Sequence, residues 1–399
     1  MEGAQETASA QDEPNEAPFK TAVDVHFESA PRFDVSDATG INQYLDTHGY
    51  VVIAAVASPA VIAQGKLDFW NHVERIGHLK RNDATTWDNE NWLPSKKTGI
   101  FNTHGINHSS LCWNIRCLPK VRQAFGAVWQ TEELIVSFDA CNVFRPWSAH
   151  RHWKTMGGWW HVDQNALNPD EPRRGKVCVQ GLVTLYDTDQ TTGGLCVIPG
   201  SHRLHDDFCQ RVPGAEMMGD FVQIPLRDKV LQENDGRLVG AKAGDLILWD
   251  SRTIHCNTPA LPTSARVNST MPRAEPEHRS EDSNREESAP EDIIRLVVYV
   301  CMLPHSLASP AILEQRKFQF LARMGTSHWP VSHSATVETI LSQRIPPCEL
   351  VDDVVDPAAC SNEMLRLVGY SQSEITNLRE SSQQHPPGPT TGHASCVML

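Results

Sequence analysis

In the stretch Gly157-Gly158-Trp159-Trp160-His161-Val162-Asp163-Gln164 an imidazole and a carboxylate stand two positions apart. On an extended segment such residues project from one face, so His161 and Asp163 can reach the same metal ion. A third ligand is offered by AGDLILWDSRTIHCN, where His255 follows the end of an apolar run. Two imidazoles and one carboxylate make the facial set of non-haem Fe(II) oxygenases, which leaves positions open for oxygen and a co-substrate. The spacing alone is weak evidence: among 18 histidines a chance HxD match is expected, and His205-Asp206-Asp207 supplies one. A histidine just beyond a buried strand is more often a capping or core residue than a ligand, so His255 gains weight only in company with His161 and Asp163.

These residues need strands to hold them. From Leu134 onward the sequence breaks into short β-rich segments separated by Gly, Pro and Asp, and strands are expected at 134–144, 176–187, 194–199, 221–225, 245–250 and 293–303. Many short strands without long intervening helices favour a jelly roll over a doubly wound sheet. In Gly193-Gly194-Leu195-Cys196-Val197-Ile198-Pro199-Gly200-Ser201-His202-Arg203, Pro fixes φ and Gly allows a sharp reversal, so His202 reads as part of a turn and not as a ligand. Ahead of the strands, Asp37 to Gly49 has a capping Asp, helical apolar spacing and a closing Gly, followed by the strand YVVIAAV; helical patterns recur at 59–77 and 119–128. The expected organisation is a disordered acidic tail over 1–33, a core over 34–305 with a polar insertion at about 262–292, a helical extension over 306–370 and a flexible tail over 371–399.

Composition narrows the partners. Lys+Arg 35 against Asp+Glu 49 gives a net charge of −14, which repels phosphate backbones and leaves no role for nucleic acid. The 11 cysteines contain no CxxC pair, which argues against a zinc ribbon or a disulfide framework and for reduced, packed thiols. The opening MEGAQETASAQDEPNEAP has no apolar core and is neither a secretory signal nor an Arg-rich transit peptide. The longest apolar run, Tyr50 to Ala63, is broken by Ser58-Pro59 and falls short of the roughly 20 residues of a spanning helix, so no transmembrane segment is expected and the location expected is cytoplasmic. The terminal Cys396-Val397-Met398-Leu399 fits a prenylation box at Cys396 that would add membrane association, but no polybasic patch provides the second signal.

Taken in order, YLDTHGYVVI, GGWWHVDQ, GGLCVIPGSHR, AGDLILWDSRTIHCN and RLVVYVCML resemble the phytanoyl-CoA dioxygenase family of Fe(II)/2-oxoglutarate oxygenases, over roughly residues 35 to 304. The resemblance implies a mainly β fold with α, a double-stranded β-helix (jelly roll, cupin-like) core flanked by N-terminal and C-terminal helices. It also implies that His161, Asp163 and His255 ligate iron. The implied reaction consumes O2 and the co-substrate 2-oxoglutarate, releases succinate and hydroxylates a small or medium organic molecule. The family holds the distal carboxylate of 2-oxoglutarate with an Arg that begins a strand after the second His, and here Arg266 and Arg295 compete. Arg266 has the more family-like distance but lies among Ser, Asn and Pro; Arg295 opens an apolar strand whose rigid backbone can aim a guanidinium, and is preferred. For either, a surface ion pair is the plainer account.

Gln180 and Asn257 fall where the family can hydrogen-bond the co-substrate, although a buried amide satisfying backbone groups explains them equally well. Halogenating members have lost the carboxylate ligand, whereas Asp163 is intact, which implies hydroxylation. The chain ends without a peroxisomal address, so the family's name dictates neither substrate nor organelle. Trp147, Trp153, Trp159 and Trp160 crowd the ligands in sequence, either as core or as an aromatic wall for an apolar or cationic substrate. His150 and His152 form an HxH that reads as pocket or surface. Two other readings stay open: a catalytically silent jelly-roll ligand-binding protein, and a cupin-type metalloenzyme that does not use 2-oxoglutarate.

Overall fold

The computed structural model describes residues 19–148, 150–261, 292–331 and 355–384. The chain enters the fold through an edge strand, β1 (Val25–Glu28), and a short β2 (Arg32–Phe33). Helix α1 (Ala38–His48) follows, its first turn capped by Asp37, whose carboxylate accepts from the Gly40 N–H at 2.9 Å, and its end closed by Gly49 at φ 80°. A methyl group at Gly49 would also strike the side chains of His202 and Thr253. Next come β3 (Tyr50–Ile53), α2 (Pro59–Ile76) with Ser58 as its cap, β4 (Ile100–Phe101), α3 (Ser110–Arg116) and α4 (Pro119–Trp129).

Two sheets then build the core. After β5 (Leu134–Val136), the strands β6 (Cys141–Phe144), β7 (His161–Val162), β8 (Val179–Thr184) and β9 (Gly194–Val197) alternate between them. A helical excursion, α5 (His205–Arg211), β10 (Val222–Gln223) and α6 (Lys229–Glu233), leads to β11 (Gly236–Val239). The chain then crosses to β12 (Leu246–Asp250), back to β13 (His255–Thr258) and across again to β14 (Arg295–Pro304). One sheet has the order β1-β11-β9-β13-β7-β10; the other runs β2-β3-β12-β8-β14-β6-β4, with β5 on β14. Back-and-forth winding between two antiparallel faces is a double-stranded β-helix, a jelly roll.

Side-chain alternation explains why the larger sheet reads as continuous apolar runs. Val52, Leu182, Ile247, Trp249 and Val297 point between the sheets, where they meet Leu195 and Val197 of the smaller one. Their neighbours Val51, Val183, Leu246, Leu248, Leu296 and Val298 pack outward with Phe69, Trp70, Leu111 and Phe125 from α2, α3 and α4. The helices thus bury the outer face of the larger sheet, and both of its faces are apolar.

Both ends of the chain depart from the expected boundaries. Disorder was expected through residue 33, yet β1 pairs in parallel with β11 from Val25 opposite Gly236 to Glu28 opposite Val239. Three of the four side chains of β1 are exposed, so no hydrophobic period announces the strand. The flexible tail expected from residue 371 instead begins with a helix, Gln372–Gln384. A capping box starts it: Ser371 Oγ accepts from the Glu374 N–H at 3.3 Å while Glu374 accepts from the Ser371 N–H at 2.7 Å. Within the expected helical extension lie α7 (Pro310–Leu321) and a helix at Asn362–Val368. Nearly all of the expected insertion, and Arg266 and Cys396, lie outside the described residues. Among the described residues no helix is long and apolar enough to cross a membrane.

Candidate active site

β7 and β13 are neighbours, and their register sets His161 directly opposite His255. The two rings lie 4.3 Å apart between centroids. Asp163 follows two residues after His161, and its N–H donates to the Ser251 carbonyl at 3.1 Å, which fixes it beside the turn between β12 and β13. Its Oδ2 is 3.2 Å from His255 Nε2 and its Oδ1 3.6 Å from His161 Nε2. One ligating atom from each of the three residues falls within 4.8 Å of the others.

Each ring is held by its other nitrogen. His161 Nδ1 lies 3.0 Å from the Trp159 carbonyl, and His255 Nδ1 2.9 Å from the Thr253 carbonyl. A carbonyl only accepts, so in each neutral ring the proton sits on Nδ1 and Nε2 keeps its lone pair facing Asp163. Burial, and then the neighbouring His161, push His255 below the ordinary imidazole value, favouring the neutral, ligating form. Burial raises the Asp163 carboxyl, but the imidazoles of His161 and His255 outweigh it and hold the group well below the usual carboxylate range. A charged carboxylate and two oriented lone pairs converging from 4.8 Å or less suit a divalent transition metal.

Gln180, on β8, donates through Nε2 to Asp163 Oδ2 at 2.9 Å and to Ser251 Oγ at 3.2 Å. Its amide therefore aims the carboxylate. Asn257 shares the inward face of β13 with His255 and hydrogen-bonds Tyr299. Arg295, at the start of β14, is 1% exposed. Its Nε donates to Asn142 Oδ1 at 3.1 Å and its guanidinium lies over the Phe144 ring, yet among the described residues neither Nη1 nor Nη2 has a partner. Burial lowers its pKa to about 10, so it stays cationic at neutral pH. Gly194 faces the guanidinium, and a methyl group there would sit 2.9 Å from Nη1. An enclosed cation with a bare two-pronged edge is costly unless an anion meets it.

The remaining histidines of the motifs do other work. His202 Nε2 reaches the Asp46 carbonyl at 3.0 Å, inside the turn below α1. His205 and Asp207 of the second HxD lie on α5, where His205 meets the Gln164 carbonyl and Asp207 pairs with Arg211. His150 and His152 are exposed beside Trp153. Of the tryptophans, only Trp159 stacks on a candidate ligand, lying parallel to His161 at 4.7 Å. Trp160 packs on the outer side of the smaller sheet and Trp153 joins the helical core near Trp87. Phe221, Trp249, Ser251, Asn142 and Tyr299 also reach the site, and only the fold brings them there. Tyr299 was legible in retrospect, because it shares the inward parity of Arg295 along β14.

The Aspergillus versicolor protein "Ava biosynthesis cluster protein O" is 27% identical over 258 residues, spanning 62% of this chain and 71% of that protein. The carbocyclase SnoK from nogalamycin biosynthesis, a non-haem α-ketoglutarate-dependent enzyme, superposes with a TM-score of 0.43 at 13% identity, over 68% of this chain and 86% of its own. AviO1 from Streptomyces viridochromogenes Tue57 does so with a TM-score of 0.38 at 16% identity, over 67% and 96%. Neither superposition assigns a role to any residue. The model of the family described as phytanoyl-CoA dioxygenase (PhyH) matches residues 45–261, more than half of the 399 residues, and takes in His161, Asp163 and His255. The chain belongs to the phytanoyl-CoA dioxygenase family.

Proposed function

We propose that the protein is an Fe(II)/2-oxoglutarate-dependent dioxygenase that hydroxylates a small or medium organic substrate. The observation that carries this reading is the convergence of His161 Nε2, His255 Nε2 and the Asp163 carboxylate within 4.8 Å, with both Nδ1 atoms tied to carbonyls. Those three side chains would hold the iron. The guanidinium of Arg295, buried and with two nitrogens unpartnered among the described residues, fits the distal carboxylate of 2-oxoglutarate. The register agrees with this: Thr258, three residues along β13 from His255, pairs with Gly194, against which Arg295 lies. At roughly 3.3 Å per residue this separates the metal end from the anion end by about 10 Å, room for a five-carbon diacid between them. When bound, the iron and 2-oxoglutarate would supply oxygen activation coupled to decarboxylation to succinate and insertion of one oxygen atom into a substrate C–H bond.

The chain's own groups have distinct tasks. Gln180 and the Ser251 carbonyl orient Asp163, Trp159 and Phe221 stack on the two faces of His161, and Trp249 packs beside His255, so the metal end is shielded by aromatic rings. Asn257 and Tyr299 brace each other between His255 and Arg295, where either can hydrogen-bond the co-substrate. All nine cysteines among the described residues are free thiols, which supports a reducing, cytoplasmic setting. The test is succinate formation by purified protein given Fe(II), O2 and 2-oxoglutarate, first alone and then with a metabolite extract screened for mass gains of one oxygen atom. Slow uncoupled turnover that vanishes in His161→Ala, Asp163→Ala and His255→Ala is expected. Turnover that survives these substitutions, or none with any extract, would overturn the proposal.

A further inference from the structure

Strand β10 ends the smaller sheet, beside β7. Their register sets Val222 opposite Val162 and Gln223 opposite His161, and the Ile224 N–H donates to the Trp160 carbonyl at 2.9 Å, so the pairing continues past the strand end. Val222 and Ile224 are buried on the outer side of the sheet with Val162 and Trp160. By alternation, Phe221 and Gln223 stand on the other side, with Trp159, His161 and Asp163, where the candidate metal site lies. The outer pair pins this orientation, because a one-residue slip that buried Phe221 would expose Val222 and Ile224. Phe221 is thus left 51% exposed, although its ring stacks on His161 at 4.8 Å. His161 itself is 4% exposed, with Trp159 lying over it at 4.7 Å and 9° and Phe221 at 30°. The three rings form a column, and Phe221 ends it with an open face.

We propose that Phe221 is a specificity-determining residue whose open face binds a flat aromatic ring of the substrate. A single exposed apolar side chain is ordinary on a protein surface, but whatever covers this one lies one ring away from a candidate metal ligand. The inference deepens the oxygenase reading and rests on it for that molecule's being the substrate. Stacked aromatic pairs gain beyond the area they bury, and the free end of an ordered column already sets the plane that a further ring adopts. The bound ring is separated from His161 by the whole thickness of Phe221. The carbon that is oxidised therefore belongs to a substituent reaching back past Phe221, not to the stacked ring itself. Selectivity then comes from the helical excursion between β9 and β11, outside the motif strands.

Two alcohols that differ only in their ring test it: n-propanol carrying a terminal phenyl group and n-propanol carrying a terminal cyclohexyl group. Dissociation constants are measured by ligand-observed NMR on full-length protein loaded with Zn(II) and 2-oxoglutarate. Phe221→Leu keeps apolar bulk and removes the flat face. It is expected to weaken the phenyl probe about two- to tenfold and to move the cyclohexyl probe by less than about twofold. Phe221→Trp, which keeps a flat face, is expected to retain or tighten the phenyl probe. Thermal melting of each variant checks that the fold survives. Equal weakening of both probes would make Phe221 an apolar cover without preference for a ring, and overturns the proposal. So does an unchanged phenyl probe in Phe221→Leu, or failure of the unaltered protein to bind that probe. The succinate assay on the same preparations separates the two readings. A Phe221-dependent ring preference without triad-dependent succinate supports the platform and sinks the oxygenase reading, whereas succinate without that preference sinks the platform alone.

Discussion

At the residue scale the most informative side chain is Arg295. A surface ion pair would leave it exposed with a carboxylate partner; instead it is buried, and among the described residues two of its nitrogens are bare and Asn142 alone meets its Nε. Truncation should therefore cost little in folding and much in co-substrate binding. Arg295→Ala is expected to raise KM for 2-oxoglutarate by about two orders of magnitude, the effect of losing a bidentate charge-assisted contact. Metal affinity, measured by Fe(II) titration under anaerobic conditions, should stay unchanged. Arg295→Lys should recover only part, since an ammonium presents no fork. Gln180 makes the opposite case: its amide touches Asp163, so Gln180→Leu should weaken metal binding roughly 10- to 100-fold. A loss confined to KM for 2-oxoglutarate would instead place Gln180 on the co-substrate.

At the element scale, α7 is bolted to the jelly roll by one buried cation. Arg316 donates to the carbonyls of Val368 at 3.0 Å, Pro330 at 2.9 Å, Val136 at 2.7 Å and Leu367 at 3.0 Å, linking α7 to β5 and to the helix at Asn362–Val368. Burial lowers its pKa to about 9, still above neutrality. Arg316→Ala strands four buried carbonyls and should destabilise the fold by about 3–5 kcal/mol, read as a lowered urea midpoint. Because Pro330 adjoins Trp329, the same variant should also loosen the packing of Trp329 on Cys178, Cys301 and Leu303. A midpoint within error of the unaltered protein would mean that the extension docks through its apolar contacts alone.

At the scale of the whole molecule, acid sensitivity comes from buried histidines outside the candidate ligand set. Burial pushes His72 down to about 4 and His108 to about 3, each with one nitrogen against a backbone carbonyl. Their folded values lie below the unfolded 6.5, so the unfolded chain binds more protons between those values and stability falls as pH drops from 6.5. Each histidine should cost roughly 2 kcal/mol between pH 6.5 and 5. Urea unfolding at pH 7 and pH 5 measures the sum, and His108→Asn should flatten the dependence. A pH-independent midpoint over that range would show that neither imidazole is kept neutral by the fold.

Much of the architecture was legible because it rests on local rules. The cap at Asp37, the αL closure at Gly49 and the apolar runs of β8, β12 and β14 each follow from residue type and period. The HxD on an extended segment likewise put His161 and Asp163 on one face before any fold was known. β1 escaped because an exposed edge strand has no apolar alternation, and the helix Gln372–Gln384 because Ser- and Gln-rich composition masked its capping box. What the linear order could not decide was distance. His255 joins the pair at 161 and 163 only because β13 lies beside β7, and Arg295 comes to Gly194 only because the two sheets face each other. Periodicity fixes the face on which a side chain stands; strand pairing and sheet packing, which depend on the whole chain, fix what stands opposite it.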